Sequence, residues 1–418
     1  MTSGPEPVGV DEHLAAVLAA VSPLEPLQVA LGEAQGTLLA EEVVAAGPLP
    51  PVGTALLDGY AVRLSDLGGA SPTTPVGLPV VGDVQPGVRE LPLSVQPGFT
   101  VRVGAGAPLP PGTDAVVPTA WTDGGLARVA VLQAPESGGF CRRAGDDLPR
   151  GALVLAAGSH LGPAQIGLLA LAGRARVQVR PRPRVVVVST GRGLVEVGRP
   201  AGPGQTLDAN SHALAAACRE AGAQPYRVGV LPDDPRRLLD ALEDHLIRAD
   251  VVLASGGGAG AQAGGGGDVV AEVLRRMGSV RVVRPALQPA GTFAVGSVGP
   301  DDIPYLGVPG QPLAALVGFE LFVRPALRSM LGLTPLQRPQ VRALLTRAVR
   351  SAAGVRLHLR VALRSTPEGW LATPLGGQGV HPLQGLGEAQ GLAVVGEDVT
   401  ELPAGAAVQV VLLERRHS

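Results

Sequence analysis

Three short loops carry the residues best suited to hold an anionic ligand. They are Ser189-Thr190-Gly191-Arg192, Ser255-Gly256-Gly257 and Pro309-Gly310-Gln311-Pro312. Glycine has no β-carbon, so its backbone N–H can approach an oxyanion closely. A helix that begins just after such a loop adds positive potential. One such loop alone is explained equally well by a tight turn. Three at equivalent strand ends point to a phosphate-bearing guest. Neither common nucleotide fingerprint is present, because no GxGxxG follows the first strand of this region and no GK[ST] closes a P-loop. Asp58, Asp147, Asp233, Asp234 and Asp268 lie near predicted loops and are candidates for a cation site. Magnesium is usually held by one or two carboxylates plus water and substrate phosphates. Taken singly, each of these acids reads more readily as a turn or cap residue. The histidines show no HxH or HExxH spacing, and no GxSxG marks a serine nucleophile.

Composition narrows the chemistry further. The sequence has no lysine, so neither a Schiff-base lysine nor a P-loop lysine can exist. Cys141 and Cys218 are far apart and make no zinc-binding or disulfide pattern. Net charge is −2 and aromatic residues are 2% of the chain, which argues against a nucleic-acid surface or a base-stacking platform. The first residues lack the basic and apolar segments of a secretory signal, and no apolar run is long enough to span a membrane. A cytoplasmic location is the expectation.

The elements that must position these loops can be read from periodicity. A chain of 418 residues predicts two to four domains. Val10, Leu14, Val17, Leu18 and Val21 recur at helical spacing behind Asp11 and Glu12, and a second helix is expected over 27–45. Short Val-rich runs at 78–81, 100–103, 115–118 and 127–132, separated by Gly/Asp turns, predict a small β domain. Gly162 to Ala172 returns to helix, so the β domain is expected to be inserted between helical segments. From Arg184 strands and helices alternate, with strands at 184–188, 226–230, 251–254, 280–283, 292–298 and 303–308. Helices are expected at 211–221, 235–248, 269–277 and 313–331. Fully apolar strands fit a parallel sheet covered on both faces. After Gly332 a last β segment begins. The expected fold is α/β multidomain: a helical linker domain (1–47 and 140–179), an inserted β domain (48–139), a central doubly wound α/β domain (180–332) and a C-terminal β domain (333–418).

Several stretches resemble, in order and spacing, the signatures of one family. Pro48-Leu49-Pro50-Pro51 followed by Leu57-Asp58-Gly59-Tyr60-Ala61-Val62 resembles the PLPPFDNSAMDGYAV motif of the molybdopterin molybdenumtransferases, which are MoeA in bacteria and the gephyrin E domain in animals. Matching stretches are Arg102 to Val117, Arg143 to Asp147, Ser189-Thr190-Gly191, Gly204-Gln205 through Asn210, Asp233-Asp234, Ser255-Gly256-Gly257 and Pro309 to Pro312. Gln378-Gly379 and Gln390-Gly391-Leu392 complete the set. The resemblance implies a central domain of the molybdopterin-binding, MogA-like kind. It also implies an elongated homodimer whose cleft is shared with the partner's β domain. The implied reaction hydrolyses adenylylated molybdopterin and inserts molybdate into the freed dithiolene, assisted by a divalent cation such as Mg²⁺. Carried over position by position, Asp58, Asp147 and Asp233 would be catalytic. Ser189, Thr190, Gly191, Arg192, Ser255, Gly256, Gly257, Pro309, Gly310 and Pro312 would hold the cofactor, and Asp233 and Asp268 the metal.

The departures are concentrated at charged positions. The family's TGDEL is Thr190-Gly191-Arg192-Gly193-Leu194 here, so two acids are lost and one position is cationic. At an effective dielectric of about 20, one charge at 4 Å is worth about 4 kcal/mol, so the swing is large. The family's SGGVS has become Ser255-Gly256-Gly257-Gly258-Ala259, with Asp268 the nearest matching acid. KPGKP is Gln288-Pro289-Ala290-Gly291-Thr292, PGNP is PGQP, a threonine is Ala105, and QGS is Gln378-Gly379-Val380. Two readings follow. One is a molybdenumtransferase with a degenerate site. The other is a catalytically inactive paralogue serving as a binding or scaffold protein for a partner, with Arg192 in one variant binding the oxyanion directly.

Overall fold

The computed structural model describes residues 6–88, 93–191, 193–231, 235–256, 273–274, 276–376 and 385–413. It divides into two units, Met1–Pro26 with Arg180–Ser418, and Leu27–Val179.

The first unit is built on a seven-stranded sheet. Its elements are β1 (Glu6–Val8), α1 (Val10–Ala19), β2 (Arg184–Thr190), α2 (Asn210–Glu220), β3 (Gln224–Leu231), α3 (Pro235–Leu246), β4 (Val251–Gly256), β5 (Gly278–Pro285), β6 (Phe293–Val298) and β7 (Ile303–Val308). A long helical run then follows as α4 (Pro312–Gly318), a π turn (Phe319–Val323) and α5 (Arg324–Met330). The strand order is β1-β5-β6-β7-β4-β2-β3. Four neighbouring pairs are parallel, but β6 runs antiparallel to both β5 and β7. The expected all-parallel sheet is therefore mixed. The physical reason is loop length: only Gly299–Asp302 joins β6 to β7, too short for a crossover, so the strands must form a hairpin.

Alternation along β2 explains the double covering. Val185 and Val187 join a core with Leu214 and Cys218 of α2 and with Phe319, Phe322 and Leu327 of the long helical run. Val186 and Val188 face the opposite side, against Leu238 and Leu242 of α3 and Val273 and Leu274. α1 contributes Val10 and Val17 to the first of these cores, and β1 extends the sheet beside β5. The first residues were expected to belong with the linker; the long-range pairing of Glu6–Val8 with Val283–Pro285 instead places them in the α/β unit.

The C-terminal segment of this unit supplies five strands of a six-stranded sheet whose sixth is Leu287–Gln288 and whose main hairpin pairs Arg356–Thr366 with Gly369–Pro374. Arg356 bonds Asp11 of α1 at 2.8 Å and Glu397 at 2.8 Å. Arg338 reaches Glu320 of the π turn at 2.6 Å and Glu220 of α2 at 2.5 Å. At the place where the chain leaves and re-enters this unit, the Arg180 guanidinium donates to the Leu24 carbonyl at 2.7 Å.

The second unit contains a five-stranded sheet in the order Arg128–Val131, Val76–Val84, Thr100–Val103, Gly59–Val62, Ala115–Pro118, with a separate apolar core on each face. Four of those strands lie where the short Val-rich runs predict them, and Gly59–Val62 is a fifth that the runs do not include. The helix expected over 27–45 does not form. Leu27–Ala30 pairs antiparallel with Arg176–Arg180, placing Leu27 opposite Val179, and Leu38–Leu39 and Val43–Val44 are further short strands. Gly36 sits at φ 75°, a left-handed turn that interrupts any helix, and Val177 and Val179 offer a buried strand to pair with. The part expected to be a helical linker is thus mostly short sheets, with the helix Pro163–Leu171 among them. No helix among the described residues is long and apolar enough to cross a membrane.

Candidate functional site

Register sets the site. In the β2–β4 pair Ser189 lies opposite Ser255 and Thr190 opposite Gly256, and in the β4–β7 pair Ser255 lies opposite Val308. Three adjacent parallel strands therefore end together, and the loops singled out from sequence leave from one edge of the sheet. Their glycines are there for close approach. Gly256 has φ 106°, and a β-carbon on it would lie 1.9 Å from the Thr190 carbonyl oxygen. A β-carbon on Gly310 would lie 3.3 Å from the Gly256 α-carbon, so the β4 and β7 loops meet backbone to backbone. Pro309 packs over Gly291, where a β-carbon would come within 2.2 Å of the proline ring.

A buried polar network ties these ends to α2. Ser189 Oγ donates to Asp208 Oδ1 at 2.8 Å and lies 3.1 Å from Ser255 Oγ. Asp208 also accepts from the Ser211 backbone N–H at 3.1 Å and from Ser211 Oγ at 2.5 Å. Thr190 Oγ1 donates to the Ser255 carbonyl at 3.4 Å. Asn210 Nδ2 donates to the Gly310 carbonyl at 2.9 Å, joining α2 to the third loop. Outside this core, Arg227 donates to Ser211 Oγ at 3.3 Å and to Glu196 at 2.7 Å, and His212 lies 3.4 Å from Glu196. Ser189, Asp208, Ser211 and Ser255 are all buried.

Sequence reasoning found the strand-end hydroxyls and glycines and missed the acid that holds them. Asp208 stands just before α2, where an aspartate reads as a helix cap, and only the fold reveals Ser189 as its second partner. Gln311 is better explained as a cap: its side chain accepts from the Ala314 backbone N–H at 2.6 Å, with Pro312 in the first turn of α4. Asp58 and Asp147 lie in the other unit. Asp58 accepts from the Ala105 backbone N–H at 2.8 Å, and Asp147 pairs with Arg142; both acids are exposed. Arg192, Asp233, Asp234, Gly257 and Asp268 lie outside the described residues. Among the described residues there is no group of three His, Cys, Asp or Glu that could hold a metal ion. Cys218 is a core residue whose thiol burial pushes up to about 12, unsuited to nucleophilic work.

Comparison with known proteins accounts for this arrangement. Three family profiles match in succession: the MoeA N-terminal region (domain I and II) over residues 8–173, a probable molybdopterin binding domain over 186–329, and the MoeA C-terminal region (domain IV) over 342–413. Molybdopterin molybdenumtransferase 1 of Mycobacterium tuberculosis is 42% identical over 424 residues, covering 97% of this chain and 98% of its own. The chain belongs to the MoeA family. Molybdopterin molybdenumtransferase 2 of the same organism is 38% identical over 403 residues, covering 96% and 98%. The crystal structure of a MoeA protein of molybdopterin biosynthesis from Pyrococcus horikoshii matches with a TM-score of 0.82 at 31% identity, covering 98% of this chain and 100% of that one. Within the MoeA frame, the segment matched as a probable molybdopterin binding domain spans β2 to β7 and carries Ser189, Asp208, Ser255 and Gly310, while Asp58 and Asp147 fall in the N-terminal region.

Proposed function

We propose that this chain is a molybdopterin molybdenumtransferase of molybdenum cofactor biosynthesis, acting in the cytosol on adenylylated molybdopterin and molybdate. The observation that carries the reading is the edge where β2, β4 and β7 end together. Gly256 and Gly310 keep it free of side chains, and the buried hydrogen bonds among Ser189, Ser255 and Asp208 beneath it hold the strand ends in place. Such an edge suits a phosphate ester approaching backbone N–H groups. Near-full-length similarity to proteins named molybdopterin molybdenumtransferase supports the enzyme over the scaffold alternative.

In this reading Ser189, Thr190, Gly191, Arg192, Ser255, Gly256, Gly257, Pro309, Gly310 and Pro312 line the molybdopterin site. Asp58, Asp147 and Asp233 act on the substrate, the first two reaching it from the partner of a homodimer. An apolar face supports that dimer: on the helix Pro163–Leu171, Leu168 and Leu171 are exposed, as are Val44 and Leu153, which are paired across neighbouring strands. The divalent cation implied by the family has no donor set among the described residues. Asp208, the buried acid at the strand ends, already accepts three hydrogen bonds. Asp233 and Asp268 are the acids proposed for it.

The test is reconstitution. Purified protein with adenylylated molybdopterin, molybdate and Mg²⁺ should release AMP and activate a molybdenum apoenzyme. Binding of molybdopterin without turnover would favour the inactive, scaffold-like reading and a degenerate site.

A further inference from the structure

Phe140 has φ 56°, a left-handed backbone that bulky side chains avoid. It is the third residue of a turn closed by the Cys141 N–H on the Gly138 carbonyl at 3.2 Å, a place that falls to glycine or asparagine when φ is positive. Strain of this kind lasts only where the surroundings over-determine it, and it collects at functional sites. The turn lies beside the edge strand Ala115–Pro118, whose Val116 N–H bonds the Gly139 carbonyl at 3.0 Å. The Phe140 ring meets Trp121 edge to face, with centroids 5.2 Å apart and planes at 84°. What the strained turn holds is informative. The Phe140 carbonyl accepts from the Leu56 N–H at 2.9 Å, just ahead of Asp58. Cys141 and Arg142 then pair with Ala55 and Thr54 of the same loop. Arg142 in turn holds Asp147, its Nε donating to Oδ1 at 3.1 Å. On the Trp121 side, Thr119 donates its N–H and its hydroxyl to the Asp58 carbonyl, each at 3.1 Å. The two rings thus close a circuit of contacts through the segments that carry both exposed acids.

We propose that Trp121 is a positioning residue for the two acids: its ring clamps that of Phe140 in the left-handed turn, and the turn keeps the Asp58 and Asp147 segments in place. The inference rests on the reading above, in which these acids act on the substrate. Glycine adopts the same turn without strain, so a clamp and a mere packing contact give opposite expectations. Trp121→Leu frees Phe140 to leave the turn, and its carbonyl then gives up Leu56. Adding Phe140→Gly restores the turn with no ring at all. Rings that only fill space would make the double variant the worse of the two.

Hydrogen exchange of the full chain reads the geometry without a ligand. In Trp121→Leu the amides of Leu56 and of Ala105, which donates to Asp58 Oδ1 at 2.8 Å, should exchange about tenfold faster. Strand amides at Val101 and Val117 should stay within about twofold, and the double variant should return Leu56 and Ala105 to within about threefold of wild type. With adenylylated molybdopterin, kcat for AMP release should fall about tenfold in Trp121→Leu while KM holds within about threefold, and the double variant should recover most of kcat. Trp121→Phe keeps a smaller ring and serves, with the same order of effects, if Trp121→Leu does not fold. Unchanged exchange in Trp121→Leu, or a double variant that exchanges as fast or faster, overturns the clamp. Wild-type protein that releases no AMP sinks the molybdenumtransferase reading, and the exchange pattern then decides the clamp by itself. Normal kcat in Trp121→Leu despite faster exchange sinks only the positioning role.

Discussion

A methyl group added at Gly256 would press on the Thr190 carbonyl in a backbone conformation that L residues avoid. Gly256→Ala is expected to lose about 2 kcal/mol or more, from strain and overpacking together. Urea denaturation would measure it, and ligand binding should fail in the same variant. Two histidines make a separate prediction about acid. Burial pushes His13, packed against Phe293 and Phe322, down to about 4, and does the same to His358. Unfolded histidine titrates near 6.5, so the unfolded chain takes up protons first as pH falls. Stability is therefore complete above about 6.5 and declines as pH drops toward 4, by up to about 3 kcal/mol for each histidine. Denaturant midpoints at pH 7.5 and 5 would show the slope, and His358→Leu should flatten it. The glycines and hydroxyls of the site were legible in the sequence because each announces a local need. Asp208 was not, since its helix cap is visible locally and its bond to Ser189 spans two elements.

At the scale of elements, the alternation of apolar strands with amphipathic helices was legible from Arg184 onward because burial on both faces leaves no polar alternative. Two features were not. The stripe on α1 says that one face is buried but cannot say against what, and Phe293 and Phe322, far along the chain, turn out to be the answer. The segment 27–45 has enough Leu, Val and Ala to imitate a helix, and the left-handed turn at Gly36 and a waiting partner strand decide otherwise. The join between the α/β sheet and the C-terminal sheet makes a testable point. Arg338 is buried between Glu320 and Glu220, while Arg324 lies 3.9 Å from Glu320. Arg338→Met would remove the hydrogen-bonded partner of Glu320, leaving it only the 3.9 Å pair with Arg324, and is expected to cost about 3 kcal/mol. Thermal and urea unfolding should show that loss.

At the scale of the whole molecule, the apolar face on the helix Pro163–Leu171 is the feature to test. Leu171 is 69% exposed, and Leu171→Glu should convert a dimer to a monomer in sedimentation without lowering monomer stability appreciably. A dimer that persists would place the interface elsewhere. The chain also leaves the α/β unit after Pro26 and returns at Arg180, and each unit brings its own loose ends together: Arg180 holds the Leu24 carbonyl, and Leu27 lies opposite Val179. Neither unit needs the other to close its termini. The excursion from 27 to 179 is thus a cassette with a single doorway. A chain joining Pro26 to Arg180 through a few glycines and serines should still unfold cooperatively, and a foreign domain with neighbouring ends could occupy the same slot. The architecture would let evolution exchange what is displayed there while the α/β sheet, with its three glycine-edged strand ends, stays as it is.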